Sequence, residues 1–331
     1  MSKDVLIFCE QRDGVLQKVS LELIGKGREL ADNLNQKVVA LLLGNKVGEL
    51  CQNLIHHGAD EVILVDDPAL ESFITEPYTK AMTAVLKERD FEIVLIGATS
   101  IGRDLAPRVA ARVETGLTAD CTTLEIDDET KNLLMTRPAF GGNIMATIIC
   151  PDHRPQMATV RPGVMLANEI PDHQGRVDSF SVEFSPQDIN IEILETVKTN
   201  KKAKDIMEAK VLVSGGRGAS NAEGFDTLKE LADILGGQLS ASRAAVDMGY
   251  VDKDRQVGQT GKTVRPDLYI ACGISGAVQH LVGMEESELV IAINKNAAAP
   301  IFESADVGIV GDMHRIVPKL INRLKKEVDI K

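Results

Sequence analysis

Short runs of branched apolar residues alternate with helix-period segments in the first 113 residues of the chain. The apolar runs lie at 4–10, 37–43, 61–65 and 91–96. Segments with apolar residues at helical spacing lie at 17–34, 46–57, 74–89 and 101–113. This alternation is typical of βαβ units. It therefore predicts a parallel sheet with helices packed on its faces.

The pattern changes after Gly116. Alternating segments separated by turn residues predict antiparallel strands or hairpins added to the first sheet, at 121–126, 132–138, 144–149 and 156–161. A strand-like stretch at 189–197 is followed by a lysine-rich run at 198–204, which has the composition of a linker. We therefore expect a domain boundary near Thr199, with domains at 1–199 and 200–331. A chain of 331 residues is long enough for two hydrophobic cores.

A second series of strand, turn and helix begins at Lys210. Its predicted strands lie at 211–213, 268–271, 289–293 and 307–310, and its predicted helices at 225–235 and 313–326. Each strand is followed by small or polar residues. Because the carboxyl ends of parallel strands meet at one edge of a sheet, this pattern is typical of a nucleotide or dinucleotide cofactor site.

The stretch 256–280 contains two glycine turns, 258–261 and 273–276, on either side of the predicted strand 268–271. We expect a helix to begin near Ser275, directly after the second turn. Free N–H groups at a helix start carry partial positive charge, and glycine lets a phosphate approach the backbone. The stretch therefore predicts an anion site.

Other readings of single residues remain open. The turn SGGRG at 214–218 fits neither the dinucleotide fingerprint nor the P-loop pattern. Ser275 lacks the glycine at 277 that a nucleophile elbow requires, which disfavours a hydrolase. Arg137 and Arg161 each precede a proline and face either a partner, an anion or a surface carboxylate. Ser100 caps a helix or makes a functional contact.

Two further side chains have alternative roles. Arg243 stacks on a flat ring or pairs with a diphosphate, since its charge is planar and permanent, or it is a surface arginine. His280 donates a hydrogen bond to a carbonyl oxygen at the glycine site, or it is a capping or core histidine.

Bulk composition excludes several classes of protein. The net charge of −12 disfavours nucleic acid as a partner, because binding phosphate backbones needs a basic face. The five cysteines are scattered without a C-x-x-C pair, so we expect reduced, buried thiols and no metal site. There is no apolar run of the length that spans a membrane, and the first residues resemble neither a secretory signal nor a transit peptide. A cytoplasmic location is expected.

The motifs of the second half closely resemble the carboxyl-terminal domain of the electron transfer flavoprotein alpha-subunit family. They are SGGRG (214–218), SASRAAVDMGY (240–250), QVGQTGK (256–262), LYIACGISGAVQH (268–280), AINKN (292–296), API (299–301) and GIVGD (308–312). The first half is similar to the same family at ETGL (114–117), TRPAFGGN (136–143) and TVRPG (159–163). The resemblance thus covers nearly the whole chain.

The resemblance implies an α/β fold of two domains. The amino-terminal domain is expected to be nucleotide-hydrolase-like, partner-facing and without a cofactor of its own. The carboxyl-terminal domain is expected to be Rossmann-like and to bind FAD. The implied cofactor residues are Arg217, Gly218, Ser242, Arg243, Gln256, Gly258, Gln259, Thr260, Gly261, Gly273, Ser275, Gly276, Ala277, Gln279, His280, Asn294 and Asp312.

The resemblance also implies a role for most of these residues. Arg217, Ser242 and Ser275 meet the diphosphate or ribityl region, while Gln259, Gly261 and Gln279 line the ring and ribityl. Arg243 lies over the isoalloxazine, Thr260 reaches its N5 edge and His280 its O2 carbonyl. Asn294 and Asp312 contact the adenosine. No residue acts as a nucleophile, because the cofactor supplies the redox chemistry.

The family further implies a heterodimer with a beta subunit that carries electrons between flavin dehydrogenases, such as acyl-CoA dehydrogenase, and other redox partners. A second FAD or an AMP is expected in the beta subunit, and the alpha chain does not distinguish an electron-bifurcating system that uses NADH from a simple carrier. Two alternatives are a nucleotide-binding regulatory or sensor module and a self-sufficient flavin or NAD oxidoreductase.

Overall fold

The computed structural model describes residues 3–139, 144–189, 191–196, 205–219 and 221–328. These residues form two compact units, the first reaching residue 196 and the second beginning at 205. The predicted boundary near Thr199 and the lysine-rich run around it lie outside the described residues. Each unit is built on a parallel sheet, so the predicted α/β class is confirmed.

The strands of the first unit are β1 (Asp4–Cys9), β2 (Gln11–Arg12), β3 (Val15–Leu16), β4 (Val38–Gly44), β5 (Glu61–Asp66), β6 (Phe91–Gly97), β7 (Leu117–Cys121), β8 (Thr123–Ile126), β9 (Leu133–Pro138), β10 (Met145–Ile148), β11 (Gln156–Val160) and β12 (Arg176–Ser179). Its α-helices are α1 (Lys18–Leu34), α2 (Cys51–His56), α3 (Thr75–Glu88) and α4 (Ser100–Arg112).

The main sheet of the first unit has the strand order β12-β5-β4-β1-β6-β11-β7 in the described part of the chain. All of its strand pairs are parallel. The central strand β1 is buried on both faces: Val5 and Ile7 pack into one core and Leu6 and Phe8 into the other. Helices cover both faces of such a sheet, which explains why its strands are continuously apolar in sequence.

The expectation of antiparallel strands is confirmed for three of the four predicted segments, and it is wrong in two respects. Strands β8, β9 and β10 are antiparallel, but they form a separate sheet of their own. Strand β11 is parallel and lies inside the main sheet, between β6 and β7. All five of its residues are buried. A short apolar run of this kind indicates a strand, but its partners and direction are set by the path of the chain between strands.

The other edge of the main sheet also differs from expectation. Strand β12 pairs with β5 in parallel, although its residues are exposed and carry no strand pattern. Residues 191–196 of the predicted strand at 189–197 are exposed and have no strand structure. Exposed alternating apolar residues do not form a strand without a neighbour to supply hydrogen bonds.

Ion pairs and caps fasten the ends of these strands. Arg161, which follows β11, is buried, and its Nη2 donates to Oδ2 of Asp120 at 2.7 Å. Burial opposes ionisation of Asp120, but Arg161 and other arginines, including Arg137, outweigh it and lower the pKa of that carboxyl. Arg161 is therefore a buried ion-pair residue.

The cap of α4 is Thr99, not Ser100, because its Oγ1 accepts from Gly102 N at 3.0 Å.

The second unit is a smaller α/β structure. Its strands are β13 (Val211–Gly215), β14 (Gln238–Ala241), β15 (Leu268–Cys272), β16 (Val290–Asn294) and β17 (Val307–Val310), and its α-helices are α5 (Ala222–Ile234), α6 (Arg243–Asp247), α7 (Val278–Leu281) and α8 (Met313–Val328). The sheet has the order β14-β13-β15-β16-β17 among the described residues, and all of its pairs are parallel. The order changes direction at β13 and β15, which is where open α/β sheets form ligand crevices.

Four of the five cysteines are buried and Cys150 is partly exposed, and all are free thiols. No helix in the described part of the chain is long and apolar enough to cross a membrane.

Candidate functional site

A cavity of about 590 Å³ opens in the second unit, beyond the carboxyl ends of β13, β14 and β15. The last residues of these strands, Gly215, Ala241 and Cys272, lie side by side in the sheet register. The lining residues that the sequence predicted are Arg217, Ser242, Arg243, Gln256, Gly258, Gln259, Thr260, Gly273, Ser275, Ala277, Gln279 and His280. The volume of the cavity lies within the range of about 300–1,000 Å³ that is usual for ligand sites.

The SGGRG turn at 214–218 and the glycine turn at 273–276 touch through their backbones beside the cavity. Gly218 N donates to Gly273 O at 3.0 Å, and Gly216 N donates to Cys272 O at 2.9 Å. A Cβ on Gly273 would lie 2.7 Å from Gly218 Cα, and Gly273 has φ +63°, which disfavours other residues. Glycine is therefore required here for close approach, while the N–H groups of Gly216 and Gly218 are already bonded within the protein.

The free backbone donors belong to the following residues instead. The N–H groups of Ile274, Ser275 and Gly276 donate to no other described residue. Successive unpaired N–H groups in a turn form an anion-binding surface. The structure thus provides the donors that the sequence predicted, but in an irregular turn and not in a helix.

The expected helix start near Ser275 is wrong. Helix α7 begins at Val278 and has only four residues. Gly276 has φ +86°, outside the helical region, and a Cβ there would overlap the backbone N of Ile301. The neighbouring Ser275 O accepts from Ile301 N at 3.1 Å. This contact accompanies a helix start three residues later than the sequence pattern indicates.

The turn at 258–261 forms another wall of the cavity. Val257 N donates to Ala241 O at 2.9 Å, which fixes the turn to the end of β14. Gln259 N donates to Gln279 O at 2.7 Å, which fixes it to α7. Thr260 Oγ1 accepts from Gln256 Nε2 at 2.9 Å. The Thr260 hydroxyl therefore keeps its own proton available for a ligand acceptor.

His280 lines the cavity but is only 6% exposed. Its Nδ1 lies 3.2 Å from Val257 O and its Nε2 lies 3.0 Å from the Tyr269 hydroxyl. Burial, partly opposed by the Val257 carbonyl, lowers the pKa of His280 to about 4. The imidazole is therefore neutral at pH 7, and both of its nitrogens have protein partners. No hydrogen bond joins it to Ser275 among the described residues, so His280 is not placed to act as a base for that serine.

The charged residues of the cavity are Arg217, Arg243 and Asp247. Arg243 begins α6 and is 68% exposed, and its Nε lies 3.4 Å from Asp247 Oδ2. An exposed pair of this kind is weak, so the guanidinium remains free to contact a ligand. The arginines leave the cavity with a net positive charge.

Some predicted residues lie outside the lining, and some lining residues were missed. Gly218, Gly261, Gly276, Asn294 and Asp312 do not line the cavity. Ala244, Asp247, Val257 and Ile274 line it but were not predicted. Of these, only Asp247 carried a usable signal, because it lies four residues after Arg243 on a predicted helix.

Asn294 and Asp312 lie near the ends of neighbouring strands, β16 and β17. Asn294 Nδ2 donates to Ile274 O at 2.7 Å. Asp312 accepts from His314 N at 3.0 Å and lies 3.2 Å from Lys295 Nζ. The bond from His314 N is the main cause of the lowered pKa of Asp312. Their expected contact with an adenosine remains a prediction.

Two family models match the chain. The model for the electron transfer flavoprotein domain matches residues 5–185, which is more than half of the chain. The model for the electron transfer flavoprotein FAD-binding domain matches residues 205–285. That second match contains every residue that lines the cavity.

A relative from Clostridium acetobutylicum, named electron transfer flavoprotein subunit alpha, is 54% identical over 326 residues, covering 98% of this chain and 97% of that protein. The chain belongs to the electron transfer flavoprotein alpha-subunit family. The resemblance drawn from the sequence motifs is thereby confirmed, as are an electron transfer role and an FAD-binding domain in the second unit.

Other relatives carry different names. An acryloyl-CoA reductase electron transfer subunit beta from Anaerotignum propionicum is 47% identical over 352 residues, covering 98% of this chain and 96% of that protein. A subunit of a lactate dehydrogenase (NAD(+),ferredoxin) from Acetobacterium woodii is 41% identical over 324 residues, covering 98% of this chain and 77% of that protein. The family thus includes members named for different redox reactions.

Proposed function

We propose that the chain holds one FAD in the cavity of its second unit. We propose that it works as a heterodimer with an electron transfer flavoprotein beta subunit, carrying electrons from flavin dehydrogenases such as acyl-CoA dehydrogenase to other redox partners. The observation that carries the proposal is the run of N–H groups at 274–276, which have no partner among the described residues, beside the positively charged cavity. A flavin dinucleotide combines an anionic diphosphate with a flat ring, and this site offers donors for both.

We assign the diphosphate to the turn at 274–276 and to the polar residues beside it. The N–H groups of Ile274 to Gly276 supply backbone donors, and the Ser275 and Ser242 hydroxyls and the Arg217 guanidinium lie on the same cavity. Charge-assisted hydrogen bonds of this kind are roughly twice as strong as neutral ones. The backbones of Gly218 and Gly273 approach so closely that a side chain on either one would force the two turns apart.

The ring is assigned to the wall formed by Arg243, Thr260 and His280. When bound, FAD supplies the electron acceptor and donor, and the ring gains negative charge on reduction. Arg243 favours that charge, and the Thr260 hydroxyl, which accepts from Gln256, donates toward the N5 edge. The protein thus sets the potential of the ring through charge and hydrogen bonding.

Electron bifurcation with NADH is a second candidate for the assembled system. It is favoured by the relative whose name includes NAD(+) and ferredoxin. In that case the partner subunit would hold a second FAD, and in a simple carrier it would hold AMP. An anaerobic NADH titration of the purified heterodimer, with chromatography of the released nucleotides, separates the two. Direct reduction with two FAD per heterodimer indicates bifurcation, while one FAD with AMP indicates a carrier.

The test of the proposed function is co-expression of the chain with its beta subunit. We expect a yellow heterodimer that releases intact FAD on acid treatment. A colourless complex that binds only ATP or AMP would support a nucleotide-sensing module instead. If the chain alone, without its beta subunit, catalysed a complete oxidation–reduction reaction, that result would support a self-sufficient oxidoreductase.

Arg243→Ala is expected to lower the midpoint potential of the bound flavin. The guanidinium is 68% exposed, so solvent screens its charge, and we expect a decrease of roughly 10–40 mV. The measurement is a reductive titration against a reference dye. The matched control is Arg265→Ala, an exposed arginine of the same unit that does not line the cavity. Equal potentials in the wild type and Arg243→Ala would contradict the placement of Arg243 over the ring.

A further inference from the structure

The turn that carries Thr260 belongs to a small closed loop, residues 256–262. At the neck of this loop, Lys262 N donates to Gln256 O at 2.8 Å, and Gly258 N donates to Lys262 O at 3.1 Å. Within the loop, Gln256 Nε2 donates to Thr260 Oγ1 at 2.9 Å. The position of the Thr260 hydroxyl therefore depends on how the two sides of the neck, Gln256 and Lys262, are held.

The Lys262 side chain joins the neck to the beginning of the second unit. Its Nζ lies 2.9 Å from Oδ1 of Asp205, which is the first described residue of that unit. The same carboxylate oxygen accepts from Met207 N at 3.0 Å, and this bond fixes the carboxylate in place. The two side chains are 27% and 45% exposed, so solvent screens the pair and its effect should be modest.

The Asp205 carboxyl group is ionised at neutral pH. Burial favours its neutral form, but the bond from Met207 N, the Lys262 ammonium and the charge of Arg255 outweigh burial and lower the pKa of the carboxyl. The contact with Lys262 is therefore an attraction between two full charges that also share a hydrogen bond.

A second connection joins Asp205 to the other side of the neck. Asp205 O accepts from Gln238 Nε2 at 3.2 Å, and Gln238 Oε1 accepts from Arg255 Nη1 at 2.8 Å. Arg255 directly precedes Gln256 in the chain. Both sides of the neck are thus connected to Asp205, one through its carboxylate and the other through its backbone carbonyl.

An apolar contact supports the same arrangement. Ile206, the residue after Asp205, is fully buried in the core cluster that also contains Val257 and Val264. Val257 lies in the loop, and Val264 lies two residues beyond it. The beginning of the second unit therefore holds the loop by an ion pair, by a chain of hydrogen bonds and by a buried side chain.

We propose that Asp205 and Lys262 are positioning residues, which hold the neck of the loop so that the Thr260 hydroxyl faces the ring of the bound flavin. Neither residue is part of the described lining of the cavity, so both act through the loop and not by contact with the ligand. The inference rests on the proposed flavin site, because the loop affects the ring only if the ring lies against that wall.

The first test is amide hydrogen exchange, followed by mass spectrometry on peptides covering 255–262 in the flavin-free heterodimer. Lys262→Met keeps the apolar stem, removes the charge and leaves the bond between Asp205 and Met207 N in place. We expect exchange in the loop to become roughly 2–5-fold faster, as for the loss of a partly exposed ion pair. Lys262→Arg should restore most of the protection. Unchanged exchange in Lys262→Met would overturn the proposal.

The matched control is Lys325→Met. Lys325 forms a comparable ion pair in the same unit, with its Nζ 2.6 Å from Glu230 Oε1, but it lies on α8. The variant should leave exchange at 255–262 unchanged. An increase equal to that in Lys262→Met would show a general loss of stability and would contradict a local role for Lys262.

A double-mutant cycle tests whether the two residues act together. Asp205→Asn removes the negative charge but keeps an oxygen that accepts from Met207 N. If the ion pair is the cause, the double variant Asp205→Asn/Lys262→Met should exchange no faster than either single variant. Additive increases would mean that each residue acts by itself, which contradicts the proposal.

The midpoint potential of the bound flavin shows whether the loop acts on the ring. Removing a positive charge near a ring lowers its potential, and removing a negative charge raises it. If Lys262 and Asp205 act by positioning, Lys262→Met and Asp205→Asn should instead shift the potential in the same direction, and neither should shift it further in Thr260→Ala protein. Shifts of opposite sign, or equal shifts with and without the Thr260 hydroxyl, would contradict the proposal.

Failure of the proposed function would be seen separately. Hydrogen exchange is measured without flavin, whereas the flavin content of the wild-type heterodimer tests the flavin site itself. A wild-type heterodimer that binds no flavin, with loop exchange that still responds to Lys262→Met, would overturn the proposed function. A flavin-containing wild type whose loop does not respond would overturn the positioning role alone.

Discussion

Gly273→Ala protein is expected to purify with little or no flavin. A Cβ at this position would lie 2.7 Å from Gly218 Cα and 2.9 Å from Gly218 C, and neither is a flexible side-chain end that could move aside. The two turns would have to separate, which displaces the donors of 274–276. Such overpacking costs on the order of 1–3 kcal/mol, so flavin affinity should fall by roughly 10–100-fold. The measurement is flavin content after purification and titration of the flavin-free protein with FAD.

The matched control for this variant is Gly236→Ala. Gly236 has φ +66°, close to the +63° of Gly273, but a Cβ there meets nothing within 4 Å. It therefore carries the same conformational cost, about 1–2 kcal/mol, without the steric contact. We expect Gly236→Ala to lose stability and retain flavin. Equal flavin content in the two variants would show that backbone contact at Gly273 does not shape the site.

Glu61→Gln is expected to destabilise the first unit by about 2 kcal/mol at pH 7. The Glu61 side chain is 2% exposed and is bonded by Arg89 and by Arg176 Nη2, the latter at 2.9 Å. The amide keeps the shape of the side chain but removes the charge that both arginines require. Because Arg176 lies on β12, the change should also loosen that edge strand from β5. Chemical denaturation followed by circular dichroism measures the loss.

The ion pairs of Glu61 with Arg89 and Arg176 also make the stability of the first unit dependent on pH. Burial alone would raise the pKa of Glu61, but the hydrogen bonds and charges of Arg89 and Arg176 outweigh it and hold the pKa below its usual value. Stability from a lowered carboxyl pKa is present above the unfolded pKa of about 4.3 and is lost as the pH falls through the folded value. The difference between wild type and Glu61→Gln should therefore be constant near neutrality and shrink below about pH 4.

Glu76→Gln is the control for Glu61→Gln, because it removes the charge of an exposed carboxylate. Glu76 also faces two arginines, Arg108 and Arg112, but its side chain is 31% exposed and the arginines are more exposed still. Exposed ion pairs contribute about 0–1 kcal/mol, so this variant should be nearly neutral. An equal loss in Glu61→Gln and Glu76→Gln would mean that burial does not set the strength of the pair.

Several features of the fold and the site are readable from the sequence. The runs that became β1, β4, β5 and β6 carry continuous apolar residues because both faces of the sheet are covered, and this signal does not depend on distant parts of the chain. The site motifs are readable for the same reason. A glycine pattern reports the local need for backbone approach, as at Gly273.

What could not be predicted depends on distant contacts. The direction of β11 follows from its insertion between β6 and β7 after a long excursion of the chain, and β12 forms only because β5 offers an edge. The start of α7 is delayed by Gly276, whose conformation is held by contact with Ile301. Nothing in the neighbouring residues reports that contact. The partners of His280 were hidden likewise, because Tyr269 is adjacent only in the folded unit.

The late position of β11 and β12 in the chain has a consequence for biosynthesis. Arg176 and Glu61 are 115 positions apart, so the outer edge of β5 stays open until the ribosome has delivered residue 179. Until then a nascent chain exposes unpaired strand edges, which invite association with other chains. Such distant pairings are also slow to close, because the entropy of a long loop must be overcome first. We therefore expect the first unit to depend on chaperones during synthesis more than the second, whose described strands all lie between Val211 and Val310.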